Sequence, residues 1–158
     1  FNASLDKDNI ALVRLATPLK FNNQVQQVKY SAAIVPDNAT LTVTGLASTP
    51  DCDVTKITNE QQILDVQPVA LDRCRAAYAK AIANHSLSIS EANLCTTTRK
   101  KRQGTCPSDS GSPLIWEGQQ VGIVSRSVAN KPLEYPDIAT RISFYYNWIQ
   151  KTIAANSD

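Results

Sequence analysis

The sequence lacks any stretch that could span a membrane. No apolar run approaches the roughly 20 residues that a transmembrane helix needs, and the opening Phe-Asn-Ala-Ser has none of the features of a signal peptide. Any export signal is therefore expected to have been removed. Long low-complexity stretches are absent too, and 158 residues, of which 42% are hydrophobic, can bury the core of one globular domain.

A strong excess of charge is also absent. The formal net charge is +2 and the sequence pI is near 8.4, whereas nucleic acids and membrane surfaces normally bind a dense basic face. Neither is expected as a partner. The one basic run, Arg-Lys-Lys-Arg at residues 99–102, is typical of a solvated loop; a polyanion site and a processing-protease site are the alternatives.

The cysteines lack the C-x-x-C spacing of zinc and dithiol redox sites. Their number is even, which favours structural disulfides, and no ligand cluster indicates a metal or a cofactor. The cysteines are Cys52, Cys74, Cys95 and Cys106. Asn-x-Ser/Thr sequons, where a surface glycan could be carried, begin at Asn2, Asn38 and Asn84. Disulfides and sequons together predict a secreted, extracellular glycoprotein.

Short β-rich segments bounded by turn residues recur along the chain. They cover residues 10–15, 41–45, 62–66, 113–116 and 121–125. The pattern predicts an all-β sandwich or barrel. No internal repeat or Pro/Ser-rich linker divides the sequence, so composition indicates no domain boundary.

Two segments have helical spacing instead. Apolar residues recur on one face within residues 71–83, and Asp72 lies in the first turn, where it suits the helix dipole. The single histidine, His85, follows this helix and is expected at the surface. A second helix is predicted at the C-terminus, where Ser143 could cap an apolar stripe. The stripe consists of Phe144, Trp148, Ile149 and Ile153.

The motif that carries chemistry is Cys-Pro-Ser-Asp-Ser-Gly-Ser-Pro-Leu at residues 106–114. A serine between aspartate and glycine in a tight turn exposes its hydroxyl beside backbone N–H donors, as acyl transfer requires. Here the chain resembles the chymotrypsin-like serine proteases of the trypsin family, whose nucleophile motif is Gly-Asp-Ser-Gly-Gly-Pro-Leu. Further segments resemble the family in the same order along the chain: residues 9–15, 44–45, 121–125, 136–141 and 147–150.

The resemblance implies an all-β fold, a chymotrypsin-like double six-stranded antiparallel β-barrel with a C-terminal helix. This chain, residues 1–158, would supply the end of the first barrel and all of the second. The family's histidine region would precede the match at residues 9–15. The expected partner is therefore an amino-terminal fragment of the same domain, carried on a separate chain.

The resemblance also implies roles for individual residues. Ser110 takes the position of the nucleophile, and Asp109 that of the carboxylate that receives the new N-terminal ammonium after activation. Asn9 stands where the family has the aspartate that orients the histidine, and a neutral amide neither holds the required tautomer nor stabilises the imidazolium well. Asp8 is one residue out of register and would serve only if the strand slipped, which would disturb its packing.

Other positions of the resemblance concern the substrate. Ser108 replaces the glycine whose N–H forms part of the oxyanion hole. Ser125 ends the substrate-binding strand, and Arg126 and Ser127 replace a tryptophan and a glycine of the substrate groove. The specificity pocket would be built from Gly104, Thr105 and Asp137. A buried or paired structural carboxylate is the equal alternative for Asp137.

The resemblance implies a disulfide between Cys74 and Cys95, which would join the middle helix to the following strand. For Cys106 the usual partner is missing, and Cys52 lies in the family's flexible loop near the nucleophile turn. We expect a Cys52–Cys106 bridge; a bond from either thiol to the missing chain is the alternative.

The function implied is that of a secreted serine protease homologue that cuts peptide bonds poorly or not at all. It would act by binding a protein, a ligand or a polyanion, and could regulate active proteases. One alternative is an active endopeptidase with Ser110 as nucleophile and a histidine on the partner chain. Another is a storage, defence or venom glycoprotein that uses the fold. Labelling of Ser110 separates the first two, whereas tissue abundance and a pull-down separate the first from the third.

Overall fold

Seven strands and two α-helices lie within the residues that the computed structural model describes, which are 7–45, 52, 60–81, 88–98, 104–128 and 134–157. The strands are β1 (Lys29–Tyr30), β2 (Leu41–Gly45), β3 (Gln62–Val69), β4 (Asn93–Thr97), β5 (Pro113–Trp116), β6 (Gln119–Arg126) and β7 (Asp137–Arg141). The helices are α1 (Leu71–Ala81) and α2 (Ile142–Ala155), and a short 3₁₀ turn covers Pro107–Asp109.

Strands β2 to β7 close into a six-stranded antiparallel barrel. Around the barrel the order is β2, β3, β4, β7, β6 and β5, and β5 pairs again with β2. The two-residue strand β1 adds a parallel pairing to β6. The barrel interior is filled mainly by aliphatic side chains, among them Leu41, Val43, Val66, Leu94, Leu114, Val121 and Val124. The six-stranded barrel and the C-terminal helix expected from the sequence are confirmed.

Four of the predicted strand segments lie in strands, and three strands, β1, β4 and β7, were not among the predicted segments. Strand β2 has the predicted bounds, while β3 continues to Val69 and β6 begins at Gln119. Strand β4 has the sequence Asn-Leu-Cys-Thr-Thr, and three of its five residues are buried side by side. Because it shows no apolar alternation, only its pairing with β3 and β7 makes it a strand.

The segment predicted as a strand at residues 10–15 forms no strand. Residues 11–28 are exposed throughout. A strand needs a paired neighbour, and no strand in the described part of the chain pairs with this segment. The apolar side chains left exposed are Leu12, Val13, Leu15, Leu19, Phe21, Val25 and Val28.

Helix α2 differs in detail from its prediction. Ser143 is not the cap, because the helix begins at Ile142 and the N-cap residue is Arg141. The buried face consists of Ile142, Tyr145 and Ile149, and it packs against a cluster that includes Ile123 of β6. The predicted stripe was therefore largely wrong. Phe144, Trp148 and Ile153 are exposed.

Two disulfides tie the loops to the barrel. Cys74–Cys95 joins α1 to β4, and Cys52–Cys106 joins residue 52 to the start of the nucleophile turn. Both are the pairings expected from the resemblance. Helix α1 has Asp72 in its first turn, as predicted. Neither described helix has the length and apolar character needed to cross a membrane.

Candidate functional site

The turn around Ser110 is held by backbone hydrogen bonds to β6. Ser110 follows the 3₁₀ turn and is exposed, while Gly111 adopts a φ of +92°, a conformation that favours glycine. The N–H of Gly111 donates to the carbonyl of Val124 at 2.8 Å, and the N–H of Val124 donates to that of Ser112 at 2.8 Å. The Asp-Ser-Gly sequence thus presents the Ser110 hydroxyl at the surface of the barrel.

Asn9 and Ser110 lie on either side of Ser125. The Nδ2 group of Asn9 donates to the Oγ of Ser125 at 2.9 Å, and the Oγ1 of Thr140 donates to the Asn9 carbonyl at 2.8 Å. The pairing of β6 with β7 shifts register between Val124 and Arg126, so Ser125 sits at an irregularity of the ladder. The Ser125 carbonyl lies 3.4 Å from the Ser110 Oγ. Residues separated by more than 100 positions in sequence are thereby brought together.

Asp8 turns toward helix α2. Its Oδ1 accepts a hydrogen bond from the Tyr145 hydroxyl at 2.6 Å, and its φ of 56° is unusual for a residue other than glycine. Strand slippage that moved Asp8 into the position of Asn9 would break this bond. The structure therefore offers Asn9, and not Asp8, to Ser125.

The backbone N–H of Ser110 is directed toward the Pro107 carbonyl. That carbonyl accepts from the Ser110 N–H at 3.4 Å and from the Ser110 hydroxyl at 3.0 Å. An oxyanion hole needs N–H donors aimed at the developing negative charge, whereas here a carbonyl oxygen faces the Ser110 hydroxyl. Ser108 lies within the 3₁₀ turn and is not among the residues with positive φ.

Asp109 is buried beneath the same turn, with 5% of its surface exposed. Its Oδ2 accepts the Cys106 N–H at 2.9 Å. In the described part of the chain no basic side chain forms an ion pair with it. Its Oδ1 approaches Gly45 so closely that a Cβ there would lie 2.6 Å away.

Gly45→Ala is expected to destabilise the protein by about 1–3 kcal/mol, because the new methyl group would displace the buried Asp109 carboxylate. Urea denaturation measures the change. Gly118→Ala shows what a glycine substitution costs through positive φ alone, since a Cβ added there would meet nothing within 4 Å. A loss below about 1 kcal/mol in Gly45→Ala would contradict the proposed clash.

The carboxyl group of Asp137 is buried beside Thr105. Its Oδ2 accepts the Thr105 N–H at 3.1 Å, while its Oδ1, the Thr105 Oγ1 and the Ser127 Oγ are buried without a hydrogen-bond partner in the described residues. Burial raises the pKa of Asp137 to about 6, and the nearby charge of Asp109 contributes in the same direction. Gly104 is half-buried next to this group, and Arg126 is exposed.

Asp137→Asn is expected to stabilise the protein at pH 8 by about 3 kcal/mol. The folded-state pKa of Asp137 is raised to about 6, so the stability that its protonated form contributes is fully present below about pH 4 and is lost as the pH rises through about 6. An asparagine cannot ionise and should remove that loss. The free energy of unfolding of both proteins, measured between pH 4 and 8, tests this. Parallel pH profiles would contradict it.

Several predicted residues lie outside the described part of the chain. These are Asn2, Asn84, His85 and the basic run at residues 99–102. Asn38 is described, and it is exposed in a turn, where a glycan could be attached. Sequence reasoning missed the Asp8–Tyr145 hydrogen bond and the Pro107 carbonyl. The only sequence signal for the hydrogen bond was the aspartate next to Asn9. The direction of the Pro107 carbonyl depends on the backbone conformation, and nothing in the sequence indicated it.

Comparisons with known proteins bear on the family and the fold. The family profile described as Trypsin matches residues 1–149. Trypsin of Phaedon cochleariae is 31% identical over 153 residues, which are 96% of this chain and 57% of that relative. Cationic trypsin-3 of Rattus norvegicus is 26% identical over 156 residues, or 99% of this chain and 60% of that relative.

A solved structure is similar as well. Neuropsin, a serine protease expressed in the limbic system of mouse brain, superposes with a TM-score of 0.76 at 25% identity. The match covers 89% of this chain and 59% of that one. The chain spans 57–60% of the length of the two curated relatives named above.

Proposed function

The chain belongs to the trypsin family of chymotrypsin-like serine proteases, and we propose that it is a secreted homologue without proteolytic activity. It would act by binding another protein or a polyanion, and through that binding regulate active proteases. The family scaffold and Ser110 are retained, while the groups around Ser110 are unsuited to acyl transfer.

The observation that carries this proposal is the Pro107 carbonyl. Attack by Ser110 would place a negative charge near backbone N–H donors, and the Ser110 N–H is instead used by that carbonyl. Losing one oxyanion donor typically costs about 10²–10³ in rate. Ser108 supports the same conclusion, because a serine resists the left-handed backbone that a glycine would adopt there.

Asn9 supports inactivity independently. Its amide nitrogen is engaged with Ser125, and an amide carries no charge to stabilise an imidazolium. The substrate groove is altered too: Arg126 is exposed and Ser127 is half-buried at the positions that would pair with substrate. A basic, exposed Arg126 suits contact with an acidic partner better than with a substrate backbone.

An amino-terminal part of the same domain is the proposed partner of the exposed segment 11–28. The apolar side chains of segment 11–28 form the kind of surface that a monomeric protein rarely leaves exposed. The family's first barrel would cover it and would bring the histidine position. Whether that part is carried on a separate chain is decided by mass spectrometry of the purified protein.

Secretion and glycosylation are proposed on two grounds. Disulfides such as Cys52–Cys106 and Cys74–Cys95 persist in oxidising compartments. Asn38 heads a sequon and is exposed. Glycosidase treatment of the natural protein should lower its apparent mass.

Fluorophosphonate labelling tests the proposed function. The intact protein, with any segment that precedes residue 1, is compared with active chymotrypsin and with Ser110→Ala at neutral and alkaline pH. We expect no labelling of Ser110. Rapid labelling that disappears in Ser110→Ala would contradict the proposal and support the second candidate, an active endopeptidase. The exposed Ser110 and the buried Asp109 favour that candidate.

A further inference from the structure

A cleft of about 400 Å³ lies between helix α2 and the two residues that flank Asn9. Its lining consists of Asp8, Ile10, Phe144, Tyr145 and Trp148. The volume is within the range of small-molecule sites, roughly 300–1,000 Å³. Three aromatic rings and one carboxylate therefore surround a space that a small ligand could enter.

The rings stand at steep angles to one another. Phe144 and Tyr145 have centroids 5.0 Å apart at 70°, and Tyr145 and Trp148 have centroids 6.4 Å apart at 80°. Phe144 is 55% exposed and Trp148 40%, so neither ring is used by the barrel core. Rings set at such angles do not form a flat slot.

Tyr145 holds the carboxylate at this cleft. Its hydroxyl donates to the Oδ1 of Asp8 at 2.6 Å. Burial, and then the hydrogen bond and charge of Asp8, raise the pKa of Tyr145 above its ordinary value, so the phenol remains the donor. In the described residues no basic side chain forms an ion pair with Asp8. Tyr145 thus fixes the position of this carboxylate at the cleft.

We propose that this cleft binds an organic ammonium group, with a quaternary, trimethylammonium-type cation as the ligand class. Aromatic faces attract such cations through their quadrupole, and the Asp8 carboxylate adds charge complementarity. A rounded cation touches rings that meet at steep angles, whereas a flat guanidinium stacks on one face. A purely apolar ligand would displace water from the Asp8 carboxylate without replacing it by a positive charge. The proposal is independent of Ser110 and of proteolytic activity.

Choline titration of the intact protein tests the proposal by NMR. The chain has two tryptophans, Trp116 and Trp148, so two indole N–H signals are expected from it, and Trp148→Phe assigns them. We expect choline to shift the Trp148 signal and not that of Trp116, with a dissociation constant on the order of 1 mM. The uncharged carbon isostere of choline should bind roughly 3-fold more weakly or worse.

Two variants and a matched control complete the test. Asp8→Asn keeps an acceptor for Tyr145 but removes the charge, and Phe144→Leu removes a ring; each should weaken choline binding by roughly 2- to 30-fold. Phe21→Leu, an exposed aromatic position outside the cleft, should leave it unchanged. An unchanged Trp116 signal reports an intact barrel.

Three outcomes would overturn the proposal. The Trp148 signal could fail to shift in the intact protein, which would mean that another segment covers the cleft. The carbon isostere could bind as well as choline, which would reduce the site to an apolar contact. Binding could also persist unchanged in both Asp8→Asn and Phe144→Leu, which would place the cation elsewhere.

Discussion

Asn9→Asp is expected to raise the rate of fluorophosphonate labelling of Ser110 by up to about 10⁴-fold in a Ser108→Gly background. The magnitude is taken from the opposite substitution in a trypsin-type triad, and it corresponds to roughly 5 kcal/mol of barrier. In the family, the carboxylate at this position accepts a hydrogen bond from the catalytic imidazole and stabilises its charged form. The Ser108→Gly change is included because glycine allows the peptide before it to turn its N–H outward.

The comparison is made between the single Ser108→Gly variant and the double variant of the intact protein. Asn23→Asp, which adds a carboxylate in an exposed segment, should leave the rate unchanged. Adding Ser110→Ala to the double variant should abolish labelling. If the double variant labels no faster than Ser108→Gly alone, Asn9 does not limit this site, and the histidine position becomes the next residue to identify.

Removal of the Cys52–Cys106 disulfide is expected to lower the free energy of unfolding by about 4 kcal/mol. The bridge spans 54 residues, and closing so long a loop restricts the unfolded chain strongly. Cys106 also donates its N–H to Asp109, so the loss should loosen the nucleophile turn. Urea denaturation of Cys52→Ala/Cys106→Ala gives the stability, and hydrogen exchange gives the local effect.

Cys74→Ala/Cys95→Ala is the matched control. Its loop of 21 residues predicts a loss of about 3 kcal/mol from chain entropy, to which a cavity in the core adds, because both cysteines are fully buried. The rate of hydrogen exchange at Ser110 and Gly111 should rise in Cys52→Ala/Cys106→Ala. It should stay near its original value in Cys74→Ala/Cys95→Ala. A loss below about 1 kcal/mol in the first variant would contradict the loop-closure explanation.

Much of the barrel follows from local sequence pattern. Strand β2 matched its predicted bounds because Leu-Thr-Val-Thr alternates between the two faces of a strand. Strand β4 could not be found in this way, since its buried threonines depend on two neighbouring strands. The strand predicted at residues 10–15 does not form. Its residues favour a strand, but pairing requires a neighbouring strand that the described part of the chain does not supply.

For the candidate site, the sequence indicated which residues are present, whereas their geometry came from the structure. The sequence by itself determined the family, the serine at position 110 and the amide at position 9, because these are matters of residue type within a motif. Only the tertiary structure decided that Asn9 bonds to Ser125, that Asp8 turns to Tyr145 and that the Pro107 carbonyl faces Ser110. Such relations depend on backbone direction and on contacts between distant segments. Local side-chain patterns indicate neither backbone direction nor such contacts.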